Sequence, residues 1–306
     1  MLPLDTKFSG LTRIDLALEV AVPVPLMDRL ERARSRSAEL GRPVAILLGN
    51  PPIRVHAHPQ GTRGGYRYRC SANRGSETWK FRATRSPGWN CLLEFHNAGR
   101  RPLTSWELFL RFGRIQRALR LSPSMTRVSR LDCAAELVMP PGFSPDPTRF
   151  SAHARTRLRR QHHALSEAIH LDTPVSAVWR GRRVRALTVG QLPGREIEMF
   201  LIPDCRENSP TEQSLRDRRE TAKVWRDETW RVEIRLGKKH LREVLKFAEF
   251  RRLGVRGVAL FRRATSSVRY LADGGIGSNI SRHPSHQFWT GLESAVLKSL
   301  SADKWV

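Results

Sequence analysis

Two segments of the chain repeat a pattern of charged residues that could bind a metal ion or move protons. The first reads T-R-I-D-L-A-L-E-V from residue 12, and the second reads S-R-L-D-C-A-A-E-L from residue 129. Alternate side chains of an extended strand share a face, so Arg13, Asp15 and Glu19 lie together in the first copy. The second copy divides in the same way. Each copy predicts a half-buried strand with a polar face, and a solvated face is the simpler interpretation.

A divalent metal ion would need carboxylates from more than one strand. Asp132 and Glu136 of the second copy lie four residues apart, which is about 13 Å along a strand. Glu233, in the alternating segment W-R-V-E-I-R-L, offers a carboxylate from elsewhere in the chain. Asp132 and Glu233 are therefore predicted to be ligands of Mg²⁺ or Mn²⁺, which prefer oxygen donors. Cross-strand ion pairs with neighbouring arginines are the competing interpretation.

Histidine supplies a second metal-binding pattern. His56 and His58 flank Ala57, so a strand would place both imidazoles on one face, as metal-binding relaxases and nicking enzymes require. The chain has ten histidines, and such a spacing arises by chance in roughly a third of comparable chains. The pattern leaves metal binding at these two residues open.

The net charge indicates a polyanionic partner. Fifty-four Lys and Arg residues against 29 Asp and Glu residues give +25 over 306 residues. Arginine dominates, and its planar fork suits phosphate, so nucleic acid is favoured over a membrane surface. Neither a secretory leader nor an apolar span of about 20 residues is recognised, so the cytoplasm is the expected location. The predicted phosphate contacts are Arg111, Arg114, Arg117, Arg155, Arg159, Arg160, Arg195, Arg231, Arg235, Lys238, Lys239 and Arg282.

Several classes of protein are excluded by motif. The cysteines, Cys70, Cys91, Cys133 and Cys205, are widely separated, which excludes a zinc ribbon or a disulfide framework and predicts reduced, mostly buried thiols. The chain contains no Walker loop, no dinucleotide fingerprint and no nucleophile elbow.

The elements that would position these residues are strands and helices in alternation. Residues 26–40 predict a helix, and three short alternating segments then predict an antiparallel meander. Thr104–Leu121 predicts a helix with Thr104 as its cap and Glu107 at the third position. The meander segments at 66–69 and 79–82 alternate aromatic and basic residues. Their rings could stack on the bases of a single strand or pack beneath this helix.

The second part of the chain follows the Pro/Gly-rich segment 140–147. Helices are predicted at 151–169 and 210–221, and strands at 179–189, 195–202 and 230–236. The prediction is an α+β fold of two pseudo-repeated halves, 1–139 and 140–306. Each half would be an antiparallel sheet with packed helices.

Four segments, in order, resemble a known family. Thr126–Ala134 resembles the "TRVDLA" strand of rolling-circle replication initiators of plasmids and filamentous phages. Leu187–Arg195 is similar to that family's "TVG-x-x-x-G-R" turn, and Trp230–His240 to its "W-R-V-E" strand. Residues 279–289 resemble the tail of plasmid members. The resemblance covers roughly 126–289, and residues 1–125 fit as the other half of a duplicated fold.

The resemblance implies origin binding and nicking. Such initiators cut one strand with a tyrosine that becomes joined to the 5′ phosphate, using a divalent metal held by carboxylates. Where the family has "Y-D-K-x-x-E", this chain has M-F-L-I-P-D-C-R-E, which puts Phe200 near the tyrosine position. The chain has three tyrosines, Tyr66, Tyr68 and Tyr270, and Tyr270 is the alternative nucleophile.

These observations predict a DNA-binding, replication-initiator-like protein of a plasmid or another mobile element. Two alternatives stay open: a catalytically inactive descendant that regulates or guards DNA, and an RNA-binding module. Mg²⁺ or Mn²⁺ is the expected cofactor of an active enzyme. DNA is the expected partner, as an origin duplex or a single strand, and a second copy of the chain or a host replication helicase would also fit this function.

Overall fold

The structure is a computed structural model. It describes residues 5–62, 64–84, 88–97, 102–140, 142–152, 175–181, 183–192, 194–202, 228–244, 253–272 and 284–302. Thirteen strands and five α-helices occur in this part of the chain, which confirms the α+β class. No helix within these ranges is both long enough and apolar enough to cross a bilayer.

The elements follow one another in mixed order. The strands are β1 (Thr6–Glu19), β2 (Val44–Leu48), β3 (Ile53–Ala57), β4 (Tyr68–Ala72), β5 (Glu77–Phe81), β6 (Trp89–His96), β7 (Met125–Met139), β8 (Phe150–Ala152), β9 (Val175–Arg180), β10 (Arg183–Gly190), β11 (Arg195–Leu201), β12 (Glu228–Gly237) and β13 (Val268–Tyr270). The helices are α1 (Val24–Glu39), α2 (Ser105–Leu119), α3 (Lys238–Val244), α4 (Leu253–Ser267) and α5 (Gln287–Ala302).

The chain divides into two compact units. The N-terminal unit consists mainly of residues 11–131, and the C-terminal unit consists of residues 1–10, 132–244 and 257–302. The long strands β1 and β7 contribute residues to both units. The sequence prediction had assigned residues 1–10 and 132–139 to the first half, so the two divisions differ at these segments.

The N-terminal unit contains an antiparallel meander in the order β2-β3-β4-β5-β6-β1. One face of this sheet is mainly apolar, and Ile14, Trp79 and Phe95 on it are fully buried. Both α1 and α2 contact this face, because Glu31 of α1 accepts a hydrogen bond from the Tyr68 hydroxyl and Arg114 of α2 reaches Glu77. The rings of the aromatic strands therefore pack beneath helices, and the base-stacking alternative is wrong for Trp79.

The helix α2 begins as its sequence predicts. The Thr104 hydroxyl accepts a hydrogen bond from the Glu107 backbone N–H at 3.1 Å, which satisfies one donor of the first turn. Leu108, Phe112 and Ile115 form its buried stripe. Arg120 ends the helix in the left-handed conformation, with φ of 53°.

The C-terminal unit contains strands in the order β7-β12-β11-β10-β9. The odd positions of β11 and the even positions of β12 are buried, as at Ile197, Met199, Val232 and Ile234. Helix α4 contacts this buried face, since Arg195 donates a hydrogen bond to the Ala264 carbonyl. The opposite face of β11 and β12 carries charged residues.

An aromatic cluster completes the core of the C-terminal unit. Tyr270 of β13 stacks edge-on against Phe150 of β8, with ring centroids 4.9 Å apart. Phe288 of α5 lies 5.1 Å from Tyr270. Phe143 approaches both Phe288 and Trp230, at 5.8 and 5.7 Å. The cluster joins β12, β13 and α5 on the buried side of the sheet.

The predicted elements are largely confirmed, with three corrections. The single strand expected at 179–189 is a hairpin of β9 and β10, which turns at Gly181. Ser151 and Ala152, expected to begin a helix, belong to β8, and the rest of that helix and the whole of 210–221 lie outside the described residues. The polar faces of the repeated strands are not solvated, because Asp15 and Asp132 are only 6% and 4% exposed. Cys70, Cys91 and Cys133 are buried free thiols, as predicted, and Cys205 lies outside the described part.

Candidate functional site

A group of carboxylates and arginines lies on the polar face of the C-terminal unit. We call this group the carboxylate cluster. It consists of Glu136 of β7, Glu196 and Glu198 of β11, and Arg231, Glu233 and Arg235 of β12.

Strand register brings these side chains together. In the antiparallel pair β11–β12, Glu198 lies opposite Glu233 and Glu196 lies opposite Arg235. Directly opposed residues share a face of a sheet, and their side chains contact each other. Alternation along each strand then adds Arg231 to the same face. Four carboxylates thus meet two guanidinium groups in this cluster.

Arg235 binds three of the carboxylates. Its Nη1 lies 2.7 Å from Glu196 Oε1, and its Nη2 lies 2.9 Å from Glu233 Oε2. Arg235 also forms an ion pair with Glu198. Arg231 bridges the other side of Glu233, at 2.8 Å from Nε, to Glu136, at 2.9 Å from Nη1. Both carboxylate oxygens of Glu233 are therefore hydrogen-bonded to arginine.

The protonation of the cluster follows from these contacts. Burial works to raise the pKa of the Glu233 carboxyl, but Arg231 and Arg235 outweigh it and hold the pKa below its ordinary value. Burial raises the pKa of Glu198, and the neighbouring Glu233 and Glu196 add to the rise while Arg235 opposes it. Of the facing residues Glu198 and Glu233, Glu198 is therefore the less stabilised as an anion.

One of the two predicted metal ligands, Glu233, is bound by arginine in this arrangement. Glu233 directs its two oxygens to Arg231 and Arg235, so a cation would have to displace guanidinium groups. Across the ranges that the structure describes, no group of three or more His, Cys, Asp or Glu side chains could hold a metal ion. The geometry of Glu233 agrees with the ion-pair interpretation, and Asp132 lies buried on β7.

Phe200 faces the carboxylate cluster. It lies opposite Arg231 on β12 and opposite Ala186 on β10, two residues along β11 from Glu198. Its ring is therefore on the same face of the sheet as Glu198 and Glu233. The position that the resemblance gives to a nucleophilic tyrosine has a ring without a hydroxyl.

Of the three tyrosines, Tyr270 lies in the aromatic core of the C-terminal unit, and Tyr66 and Tyr68 belong to the N-terminal unit. Tyr270 is 2% exposed, and its hydroxyl accepts a hydrogen bond from the Asp146 backbone N–H at 2.8 Å. Tyr68 is buried in the N-terminal unit and donates to Glu31 at 2.7 Å. Tyr66 is half-buried, with the Arg82 guanidinium 5.2 Å from its ring centroid. Burial raises the pKa of each phenol, which disfavours the phenolate.

A second polar surface lies on the N-terminal unit, on the side of the sheet opposite α1 and α2. We call it the N-terminal polar face. Cross-strand pairs connect His56 to Ser71, Ser71 to Thr78, Thr78 to Glu94 and Glu94 to Asp15. The same face carries Arg13, Arg54, Arg69, Lys80 and His96 by strand alternation and register.

One end of this face is exposed and basic, and the other end is buried and carries the carboxylates. Arg54, His56 and Arg69 are exposed on β3 and β4. Asp15 and Glu94 are 6% and 7% exposed on β1 and β6. Four Lys and Arg residues against two carboxylates leave this face basic, and the basic side is the accessible one.

The buried end is held by ion pairs. Arg13 donates from Nε to Asp15 Oδ1 at 2.7 Å and lies 3.1 Å from Glu94 Oε1, which Lys80 also contacts. Burial raises the pKa of Asp15 to about 6, although Arg13 opposes the rise. Burial lowers the pKa of His96 to about 4, and the positive charge of Arg13 adds to this effect.

The two histidines of the His-x-His pattern share the exposed end of this face. His58 Nε2 lies 2.9 Å from Ser71 Oγ, and His56 lies opposite Ser71 in register. Burial lowers the pKa of His58, and the charges of Arg69 and His56 add to this. Both imidazoles lie among basic residues, which disfavours a metal cation there.

Five of the eight predicted phosphate contacts that the structure describes take part in internal interactions. Arg111 pairs with Glu107, and Arg114 pairs with Glu77, which is fully buried. Arg195 bonds to α4, and Arg231 and Arg235 belong to the carboxylate cluster. Exposed members are Arg117, Lys238 and Lys239, and Arg155, Arg159, Arg160 and Arg282 lie outside the described residues.

Sequence reasoning missed two members of the carboxylate cluster. Glu196 and Glu198 belong to R-E-I-E-M-F-L, where strict alternation puts both on one strand face. The alternation in R-E-I-E-M-F-L is visible in the sequence. The segment that forms β12 alternates in the same way, and pairing the two segments would have brought the carboxylates and arginines together. The exposed Arg54 and Arg69 were also missed, because their importance depends on the pairing of β3 with β4.

Comparison with known proteins adds little. No protein-family model and no curated protein matches the sequence. A solved structure described as a rolling circle replication initiator protein from Geobacillus stearothermophilus aligns over 98% of this chain and 98% of its own, with 11% identity and a TM-score of 0.43. A TM-score at this level supports no statement about activity or partners.

Proposed function

We propose that the protein binds DNA without forming a covalent bond to it, as a replication-initiator-like protein of a plasmid or another mobile element. The N-terminal polar face is the observation that carries the proposal. Arg54, His56 and Arg69 are exposed there, on the side of the sheet opposite both α1 and α2. Basic side chains along a sheet face supply the phosphate contacts that dominate affinity for nucleic acid.

Two features of the carboxylate cluster support the non-covalent part of the proposal. Phe200 provides no nucleophilic oxygen, and a strand-cleaving tyrosine must supply one. Arg231 and Arg235 hold the carboxylates that would otherwise bind Mg²⁺ or Mn²⁺. A nicking initiator that uses such a metal is therefore the second candidate, and it requires the arginines to move.

Binding can be measured by fluorescence anisotropy with labelled duplex DNA, single-stranded DNA and RNA of one sequence. We expect Arg54→Gln with Arg69→Gln to weaken DNA binding about tenfold or more, because two phosphate contacts are lost, and to reduce the salt slope by roughly two. The matched control is Arg32→Gln with Arg36→Gln, which removes the same charge from exposed positions on α1. An equal loss of DNA affinity in both variants would show that the effect comes from the net charge and not from the N-terminal polar face.

The class of nucleic acid and the chemistry are tested in the same preparation. Salt should act strongly, with affinity falling on the order of a thousandfold between about 50 and 200 mM if six or more phosphates are contacted. Stronger binding to RNA than to either form of DNA would favour the RNA-binding alternative. A protein–DNA adduct on a denaturing gel with Mn²⁺ would establish the nicking alternative.

A further inference from the structure

An apolar stripe on α2 points outward from the N-terminal unit. Trp106, Phe109 and Leu110 are 55%, 54% and 47% exposed. They follow one another at helical spacing of three and four residues, so they form one ridge. The rings of Trp106 and Phe109 lie nearly parallel, at 21° with centroids 6.2 Å apart. Exposed large apolar residues grouped in this way are typical of interaction surfaces.

Towards the C-terminal end of α2, the same stripe loses its large side chains and ends in a basic residue. Gly113 lies one turn beyond Phe109 and Leu110, and a Cβ added there would meet nothing within 4 Å. Arg117, one turn further, is exposed. The outward surface of α2 therefore has a ridge of large side chains at its N-terminal end, and a depression followed by a cation at its C-terminal end.

We propose that this stripe is the interface of a homodimer in which two copies of α2 pack antiparallel. With the twofold axis between Arg111 and Phe112, Leu110 faces Gly113 of the second copy and Trp106 faces Arg117 of the second copy. Each ridge then enters a depression, and each guanidinium lies over an indole ring, a favourable cation–π arrangement. A twofold interface must be complementary to itself, and this stripe meets that requirement.

Charge also favours a second copy over nucleic acid as the occupant. Arg111 and Arg114, the basic residues beside the ridge, are paired with Glu107 and Glu77. The aromatic half of the stripe is therefore close to neutral, and Leu110 offers no stacking surface to a base. In the antiparallel arrangement the half-buried Glu107 of one copy lies towards the C-terminal arginines of the other, and the two helix dipoles oppose each other favourably.

The dimer interface is a single pair of helices, so its area falls at the low end of specific interfaces, below about 1,200 Å² in total. Two chains of charge +25 also repel each other. Added salt screens that repulsion, so the dimer should become stronger with salt, whereas DNA binding becomes weaker. This inference does not rest on the proposed function.

Sedimentation velocity across a range of protein concentrations at low and high salt tests the proposal. The wild type should dimerise, and Trp106→Ser with Phe109→Ser should raise the dimer dissociation constant at least tenfold. Gly113→Glu should also raise the dimer dissociation constant at least tenfold. Its melting temperature should be unchanged or higher, because the new carboxylate can pair with Arg117 within the monomer. Leu40→Ser, at another exposed apolar residue, is the control and should still dimerise.

Three results would overturn the proposal. The wild type could sediment as a monomer at all concentrations and salts, or the serine variant could dimerise as well as the wild type. The third is a monomeric wild type whose affinity for single-stranded DNA falls in the serine variant, which would make the stripe a stacking surface for bases. Circular dichroism of each variant separates these results from misfolding.

Discussion

Glu198 and Glu233 face each other directly across β11 and β12, and Arg235 contacts both carboxylates. Like charges directly opposite each other destabilise a sheet unless a cation lies between them. Arg235 supplies that cation, and it also binds Glu196 at 2.7 Å. The guanidinium thus occupies the part of the cluster where a divalent ion would have to bind.

The first prediction concerns this arginine. Arg235→Met should lower the free energy of unfolding by about 2–3 kcal/mol, because Glu196, Glu198 and Glu233 lose the guanidinium that they share and Glu233 keeps Arg231. This is less than the roughly 3–5 kcal/mol typical of fully buried pairs, since water still reaches the cluster. Urea denaturation at pH 7 measures the change, and Arg36→Met, at an exposed position on α1, is the control with an expected effect within about 0.5 kcal/mol.

The same variant tests whether the cluster can bind metal. With Arg235 removed, Glu196, Glu198 and Glu233 are left without their shared cation, and Mn²⁺ or Ca²⁺ should then stabilise the variant against heat. Wild type should show no such stabilisation. A wild-type protein whose melting temperature rises with Mn²⁺ as much as that of the variant would contradict the role given to Arg235.

The second prediction separates stability from DNA binding at Arg114. This residue contacts both oxygens of Glu77, at 3.0 and 3.1 Å, and Glu77 is fully buried. Arg114→Gln should cost about 2 kcal/mol of unfolding free energy, because the buried carboxylate loses its counterion and keeps the neutral partners Asn73 and the Trp79 indole. DNA affinity of the folded variant should stay within about twofold of wild type, since one phosphate contact is worth more.

A different result would contradict this prediction for Arg114. A variant that is as stable as wild type but binds DNA about tenfold more weakly would return Arg114 to the phosphate-contacting set. Anisotropy and denaturation on the same preparation distinguish the two results. Arg111→Gln, which removes an i,i+4 pair with Glu107, is the matched control on the same helix.

Local patterns predicted the elements well where one signal dominated. The Thr104 cap and the helix that it begins were both predicted from the sequence, because Thr104 and Glu107 lie within one turn of each other. The hairpin of β9 and β10 was missed, although R-G-R-R at 180–183 interrupts the alternation of polar and apolar residues and Gly181 has the positive φ of a turn. Arginines at these positions were taken as part of one strand, because a short interruption is a weak signal of where a strand reverses.

The ion pairs of the carboxylate cluster and of the N-terminal polar face could not be predicted from local sequence patterns. The face that carries Asp15 was interpreted as solvated, yet Asp15 is buried, and its cross-strand partner Glu94 lies far along the sequence. The partners of Glu233 likewise depend on the register of β11 with β12. Composition gave the sign of the total charge, but which arginines remain accessible follows from ion pairs formed in the fold.

The third prediction concerns Phe200. Phe200→Tyr would place a hydroxyl on the face of the carboxylate cluster, opposite Arg231. We expect no covalent adduct with single-stranded or supercoiled DNA in the presence of Mn²⁺, because the arginines still hold Glu233 and no metal assists the attack. A denaturing gel shows the adduct directly. Tyr270→Phe serves as the control, and an adduct in wild type that is lost in this variant would identify Tyr270 as the nucleophile.

The last prediction is the pH dependence of stability at Asp15. Its pKa is raised to about 6 in the folded protein, above the roughly 3.9 of an unfolded aspartate. The folded state therefore binds the proton more tightly, so the stabilising contribution is complete below about pH 4 and is lost as the pH rises through 6. A shift of about two pKa units corresponds to about 3 kcal/mol.

His96 works in the opposite direction, and a variant is needed to separate the two residues. The pKa of His96 is lowered to about 4, so its contribution is present above about pH 6.5 and is lost as the pH falls towards 4. Asp15→Asn removes only the aspartate contribution. The free energy of unfolding of wild type, relative to Asp15→Asn, should fall by about 2–3 kcal/mol between pH 4 and 7, measured by urea denaturation at each pH. A difference that stays constant across this range would show that Asp15 remains ionised in the fold, held by Arg13 despite its burial.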